Sequence, residues 1–160
     1  MTKKNKTVAV LLHNIRSTHN VGSIFRTADA LGISKIYISG YSPTPLDRFG
    51  KPRKDIAKVA LGAEKTIPWE YDTSPEKIIK KLKSEKYEVV ALEQTKNSVD
   101  YKKVKVSYPL LFVVGNEVDG VEEKVLKQSD VVVEIPMMGE KESLNVSVAF
   151  GVAMFRLLGI

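Results

Sequence analysis

The chain of 160 residues contains no cysteine, two histidines and one tryptophan. Without cysteine there can be no disulfide, thiol nucleophile, cysteine-bound zinc or iron–sulfur cluster. His13 and His19 are the only imidazoles, and no acidic pair lies at a ligand spacing near them, so no metal is expected. A cysteine-free composition fits the reducing cytoplasm. Long apolar runs are also missing. None approaches the roughly 20 residues that a membrane helix needs, so no membrane partner is expected. Residues 1–7 carry Lys3, Lys4 and Lys6 with no apolar stretch and cleavage site behind them, and read as a disordered basic tail rather than a secretory signal. Neither G-x-G-x-x-G after a strand nor G-x-x-x-x-G-K-S/T occurs, which disfavours the usual dinucleotide and nucleoside-triphosphate enzymes.

What is present is an excess of positive charge, formally +6, and it is unevenly placed. Arg48, Lys51, Arg53, Lys54 and Lys58 crowd one stretch; Lys77, Lys80, Lys81, Lys83 and Lys86 crowd another. The second group reads as the wet face of a helix. The first sits in a long connection punctuated by proline, with Phe49 beside arginines, and points to nucleic acid.

The apolar pattern alternates between buried strands and amphipathic helices. Strands are expected at 8–13, 35–39, 87–92, 110–115 and 131–135, with a short edge segment at 66–71 that contains Pro68. Helices are expected at 20–31 ended by Gly32, at 55–61 ended by Gly62, from Pro75, near 121–127, and from Ser143 to the end. Residues 94–107 read as irregular. Strands alternating with helices imply one α/β domain over 8–160, its sheet mostly parallel with helices on both faces.

Two strands end in loops of small and polar residues: 110–114 runs into Gly115-Asn116-Glu117, and 131–135 into Pro136-Met137-Met138-Gly139 and Ser143-Leu144-Asn145. In open α/β sheets, ligands bind at the carboxyl ends of strands, so these loops should wall a pocket. The last helix carries two apolar stripes, one through Phe150, Ala153 and Leu157 and one through Val148, Val152 and Phe155. Such a helix should be buried all round, in part against a second copy of the chain. Ser143 stands where its cap would be. On the first helix, Gly22, Arg26 and Asp29 fall at i, i+4 and i+7 on one face, with Gly22 clearing room for a ligand beside the guanidinium. Asn20 lies at that helix's N-terminus, where amide groups attract anions.

Three stretches taken together carry a resemblance: Asn20-Val21-Gly22-Ser23-Ile24-Phe25-Arg26-Thr27-Ala28-Asp29-Ala30, then Leu111 to Val121 around Gly115-Asn116-Glu117, then Ile135-Pro136-Met137 with Ser143-Leu144-Asn145-Val146-Ser147-Val148-Ala149. In order, spacing and identity the sequence resembles the SpoU/TrmH family of RNA ribose 2′-O-methyltransferases, within the SPOUT class. The resemblance implies an α/β fold with a C-terminal trefoil knot, a homodimer, and S-adenosylmethionine as cofactor. It implies that backbone groups at Leu92, Gly115, Ile135 and Leu144 hold that cofactor. It places the key arginine at Arg26 and its partner at Asn20, with Glu117, Ser143 and Asn145 orienting Arg26 and the ribose, within one chain or across the dimer. Family schemes make the arginine a general base. A guanidinium stays protonated in proteins, so here Arg26 is expected instead to hold a phosphate and stabilise the emerging alkoxide. Many members carry an additional RNA-binding domain. Here Arg16, Arg48, Lys51, Arg53 and Lys54 are expected to grip tRNA or rRNA. A non-catalytic RNA-binding or assembly factor, and a base N-methyltransferase, are the alternative readings on the same fold.

Overall fold

The computed structural model describes residues 6–160. Residues 1–5 of the expected basic tail lie outside the described residues. Thr7, expected in the tail, is already tied to the sheet, because its carbonyl accepts the Leu110 N–H at 3.0 Å.

In chain order the elements are β1 (Val8–His13), α1 (Thr18–Leu31), β2 (Lys35–Ser39), α2 (Lys54–Ala60), α3 (Ala63–Thr66), β3 (Trp69–Asp72), α4 (Pro75–Ser84), β4 (Glu88–Leu92), β5 (Val99–Asp100), a 3-10 turn (Tyr101–Lys103), β6 (Leu110–Val114), α5 (Glu123–Gln128), β7 (Val131–Glu134) and α6 (Val146–Leu158). The seven strands form one sheet in the order β3-β2-β1-β6-β4-β7-β5, and every pairing is parallel. β6 inserts between β1 and β4, and β7 between β4 and β5. These insertions lie in the C-terminal part, where the family resemblance implies a knot.

The strands read as continuous apolar runs because both faces are covered. Val10, Leu12, Ile36, Phe112 and Val114 point to a core shared with α1, α2, α3 and α6; Ala9, Leu11, Leu111 and Val113 point to a smaller core under α4 and α5. Alternation along each strand sends successive side chains to opposite faces. α4 starts as its sequence requires: Ser74 accepts the Lys77 N–H and Pro75 takes the first helical position.

Several expectations change. Residues 94–107 are not wholly irregular, since Val99–Asp100 pairs with β7 as the far edge strand. α2 stops one residue early, with Leu61 left-handed at φ 53°, and Gly62 opens α3 instead of ending α2. Asn145, not Ser143, caps α6; its side chain accepts the N–H groups of Ser147 and Val148. Gly22 clears no room for a ligand. It is buried, and a Cβ there would lie 2.8 Å from the Ile56 carbonyl oxygen and 2.9 Å from Val59 Cβ. The glycine lets α2 pack closely on α1. Within a single chain α6 buries one of its two apolar stripes. Phe150, Ala153 and Met154 are sealed, whereas Val148, Val152 and Phe155 remain 51%, 40% and 37% exposed.

Candidate active site

The carboxyl ends of β1, β2, β4, β6 and β7 all open at one end of the sheet, and the loops that leave them build the site. The turn after β6 is the most constrained. Asn116 and Gly120 exchange two backbone hydrogen bonds, at 3.0 and 2.9 Å. Asn116 Oδ1 accepts the N–H groups of Val118 and Asp119, both at 2.8 Å. Its Nδ2 donates to the Asn14 carbonyl at 2.9 Å and the Tyr41 hydroxyl at 2.8 Å. The loops after β1 and β2 are thereby fastened to this turn. From β4, the Glu93 carboxylate accepts the Val121 and Gln94 N–H groups at 2.8 Å each, and Gln94 Nε2 reaches the Glu142 carbonyl at 2.8 Å.

Within one chain Glu117 turns to the start of α1 rather than to Arg26. Its carboxylate accepts the Arg16 N–H at 2.9 Å, the Ser17 N–H at 3.1 Å and the Asn20 amide at 3.0 Å. Asn20 Oδ1 in turn accepts from Asn145 Nδ2 at 3.1 Å. Because Asn145 Oδ1 is committed to α6, the orientation of each amide follows from its neighbour. Burial by itself raises the Glu117 pKa. The Arg16 N–H, the Asn20 amide and the Ser17 N–H outweigh it and hold the carboxyl below the ordinary value of 4.5. Glu117 is therefore a charged anchor for the start of α1 and a poor proton acceptor.

The sign of its pH effect follows. A depressed folded-state pKa contributes stability above the unfolded value and loses it as pH falls through the folded one. Glu117→Gln keeps the shape but sets an amide against N–H donors. It is expected to destabilise by ~1–2 kcal/mol at neutral pH, with the gap from wild type closing below about pH 4.5. Urea titrations at several pH values measure both.

A second strut escaped the sequence reading. His13, 3% exposed, places Nδ1 2.7 Å from Ser39 Oγ and Nε2 3.0 Å from Glu122 Oε1. Glu122 also accepts from Asn14 Nδ2 at 2.8 Å. Asn14 is left-handed at φ 56°, and its Oδ1 takes the Tyr41 N–H at 3.1 Å. The one signal in the sequence was a lone histidine ending an apolar strand, which does not name its partner.

Between these loops lies a cavity of about 210 Å³ at the ends of β4, β6 and β7. Leu92, Gly115, Ile135 and Leu144, the four expected cofactor positions, all line it, as do Glu117 and Ser143. Leu92, Ile135, Leu144 and Val146 give it apolar walls of the kind that hold an adenine, and Glu93, Asp119 and Glu134 put carboxylates beside them, suited to a sulfonium cation. These residues fit S-adenosylmethionine. Asn20 and Asn145 join the cavity wall through Glu117. Arg26 stands apart, exposed on α1 and outside the cavity lining. Asp29, on the same face, accepts from Thr66 Oγ1 at 3.4 Å. Of the expected RNA contacts, Arg16, Arg48, Lys51 and Lys54 are exposed, while Arg53 is half-buried with its Nε enclosed and without a hydrogen-bond partner among the described residues.

The fold and site define a parallel α/β domain that takes a small organic cofactor over its strand ends. Residues 7–155 match the model of the SpoU rRNA Methylase family, and the chain belongs to that family. It is 32% identical over 155 residues to the tRNA (guanosine(18)-2′-O)-methyltransferase of Aquifex aeolicus, covering 97% of this chain and 70% of that one. Its backbone is similar to the solved A. aeolicus TrmH/SpoU tRNA modifying enzyme, with TM-score 0.83 and 30% identity over 97% of this chain and 75% of the other. The AdoMet-bound rRNA methyltransferase of Sinorhizobium meliloti gives TM-score 0.85 and 28% identity, covering 98% of this chain; the chain spans 57% of that protein's length. Its class is that of S-adenosylmethionine-dependent RNA methyltransferases.

Proposed function

We propose that the chain methylates a ribose 2′-hydroxyl of tRNA or rRNA, as a cytoplasmic homodimer. The observation that carries the reading is the continuous chain Glu117–Asn20–Asn145, which joins the cofactor cavity to the N-terminus of the arginine-bearing helix. Bound in that cavity, S-adenosylmethionine supplies an electrophilic methyl group. The protein's part is to bring the ribose oxygen into line with it and to stabilise the charge that develops as the hydroxyl proton leaves. Arg26 suits the second task, since a guanidinium can clamp a neighbouring phosphate and face the alkoxide. The three N–H donors on Glu117 commit it to positioning.

The homodimer is supported by an uncovered face. Val148, Val152 and Phe155 of α6 lie beside Ser23 and Thr27 of α1, and Arg26 projects from the same helix. A second copy packed there would bury the apolar stripe and carry Arg26 toward its partner's cavity. Val152→Glu is expected to shift the protein from dimer to monomer in sedimentation velocity, with methyl transfer falling in step. A monomeric wild type would overturn the dimer. The cysteine-free chain supports a reducing compartment.

The reaction is tested by transfer of labelled methyl from S-adenosylmethionine to undermodified tRNA and rRNA, offered separately, followed by digestion to nucleosides. Label in a 2′-O-methyl nucleoside is the expected result. Label on a base would replace the reading with base methylation, and absence of both transfer and cofactor binding would favour the non-catalytic factor.

A further inference from the structure

The connection between β2 and α2 is an ordered hairpin, and its tip has no partner among the described residues. Leu46 and Pro52 bridge across it. Asp47 N donates to the Lys51 carbonyl at 2.8 Å, Gly50 N to the Asp47 carbonyl at 2.9 Å, and Arg53 N to the Pro45 carbonyl at 2.8 Å. The Asp47 carboxylate accepts the N–H groups of Phe49 at 2.8 Å and Lys51 at 3.0 Å. Gly50 adopts φ 75°, which this turn needs and a side chain would resist. The backbone is thus satisfied within the hairpin and holds its tip in one shape.

At that tip Phe49 is 71% exposed, more than any other large apolar side chain in this connection; the Arg48 guanidinium sits 4.8 Å from its ring centroid. Burying this ring would be worth roughly 2 kcal/mol, yet the hairpin presents it to water. Arg48 and Lys51 of the hairpin and Lys54 at its foot carry exposed positive charges. An exposed aromatic ring flanked by cations is suited to a nucleobase joined to phosphates: the ring stacks on the base and the cations meet the backbone. The hairpin also leaves the same end of the sheet as the cavity, and its root is pinned to the cavity turn through Tyr41 and Asn116.

We propose that Phe49 is a stacking platform for an unpaired base of the RNA, so that the hairpin selects looped or single-stranded segments over continuous duplex. The inference rests on the RNA reading above and specifies the substrate feature that reading leaves open. A base already stacked and paired offers no free face, so the platform contributes only where the strand is unpaired.

The test uses the full chain with a short RNA stem-loop carrying 2-aminopurine at an unpaired loop position, and a matched RNA duplex. Phe49→Ala is expected to weaken stem-loop binding by roughly tenfold, to lose the change in 2-aminopurine fluorescence, and to leave duplex binding unchanged. The salt dependence should keep its slope, because no charge is removed. Phe49→Trp should restore both affinity and fluorescence change. S-adenosylmethionine binding, measured by calorimetry, should be equal in all three proteins and shows that the fold is intact. If Phe49→Ala binds the stem-loop as wild type does, the platform is overturned while the RNA reading stands. If wild type binds neither RNA, the RNA reading fails and takes the platform with it.

Discussion

Replacing Arg26 by alanine is expected to lower methyl transfer at least ~100-fold while changing S-adenosylmethionine affinity by less than about twofold. The separation follows from where the residue stands. Arg26 is exposed and does not line the cofactor cavity. Truncating it leaves no buried group unpaired, so the fold and the cavity should persist, and a loss of turnover cannot be assigned to unfolding. The magnitude is that of removing one preorganised donor from a developing negative charge. Arg26→Lys separates charge from shape. If the guanidinium clamps a phosphate with two parallel N–H groups, lysine should recover only a small part of the rate. Near wild-type turnover in Arg26→Lys would refute the clamp, and equal losses in turnover and cofactor affinity would place Arg26 in the cofactor site instead. Single-turnover kinetics beside calorimetric titration measure the two quantities.

Much of the frame was legible in the sequence because its signals are local. β1 and β6 are apolar runs sealed on both faces, and β1 keeps its expected limits while β6 ends one residue early at Val114. α1 ends at Gly32, which is left-handed at φ 69° as an ending glycine should be. Pro68 marked the edge position correctly, but β3 runs over Trp69–Asp72 and leaves the proline outside, not over the expected 66–71. β5 was not legible because a strand of two residues has no period. It exists only because β7 offers an edge at that height.

The site was legible as a set of residues but not as a set of partners. Leu92, Gly115, Ile135 and Leu144 come from four separate segments and meet at one cavity because parallel strands align their carboxyl ends. Glu117 reads as a companion of Arg26 when the motifs are laid side by side. Within one folded chain it is taken by the N–H groups of Ser17, the cap of α1, and of Arg16 before it. Gly22 misled for a related reason. A helical glycine can serve a ligand or a neighbouring helix, and the backbone of α2, more than thirty residues away, decides between them. The Ser39–His13–Glu122 strut has the same origin, since its acidic member lies 109 residues from the histidine.

Gly115→Ala is the substitution expected to harm the cofactor site most. An added Cβ would lie 2.5 Å from the Gly120 carbonyl oxygen, 2.7 Å from its carbon and 2.8 Å from Val121 Cα. All three are backbone atoms, so no side chain can swing aside. The bridge between Asn116 and Gly120 must open. Opening it pulls Asn116 from Asn14 and Tyr41 and moves Glu117 off the start of α1, so one methyl group disturbs three loops at once. Overpacking of this kind costs about 1–3 kcal/mol in stability, and the displaced turn should cut S-adenosylmethionine affinity at least ~100-fold, because the cavity wall itself moves. Gly139 supplies the control. It sits in the neighbouring loop, and a Cβ there would meet nothing within 4 Å, so Gly139→Ala should bind cofactor as wild type does. Calorimetric titration and urea denaturation of both variants decide the matter. Equal affinities would mean that the turn after β6 does not wall the cofactor. A loss confined to Gly115→Ala would tie binding to the closeness of two backbone segments, which only glycine at that position permits.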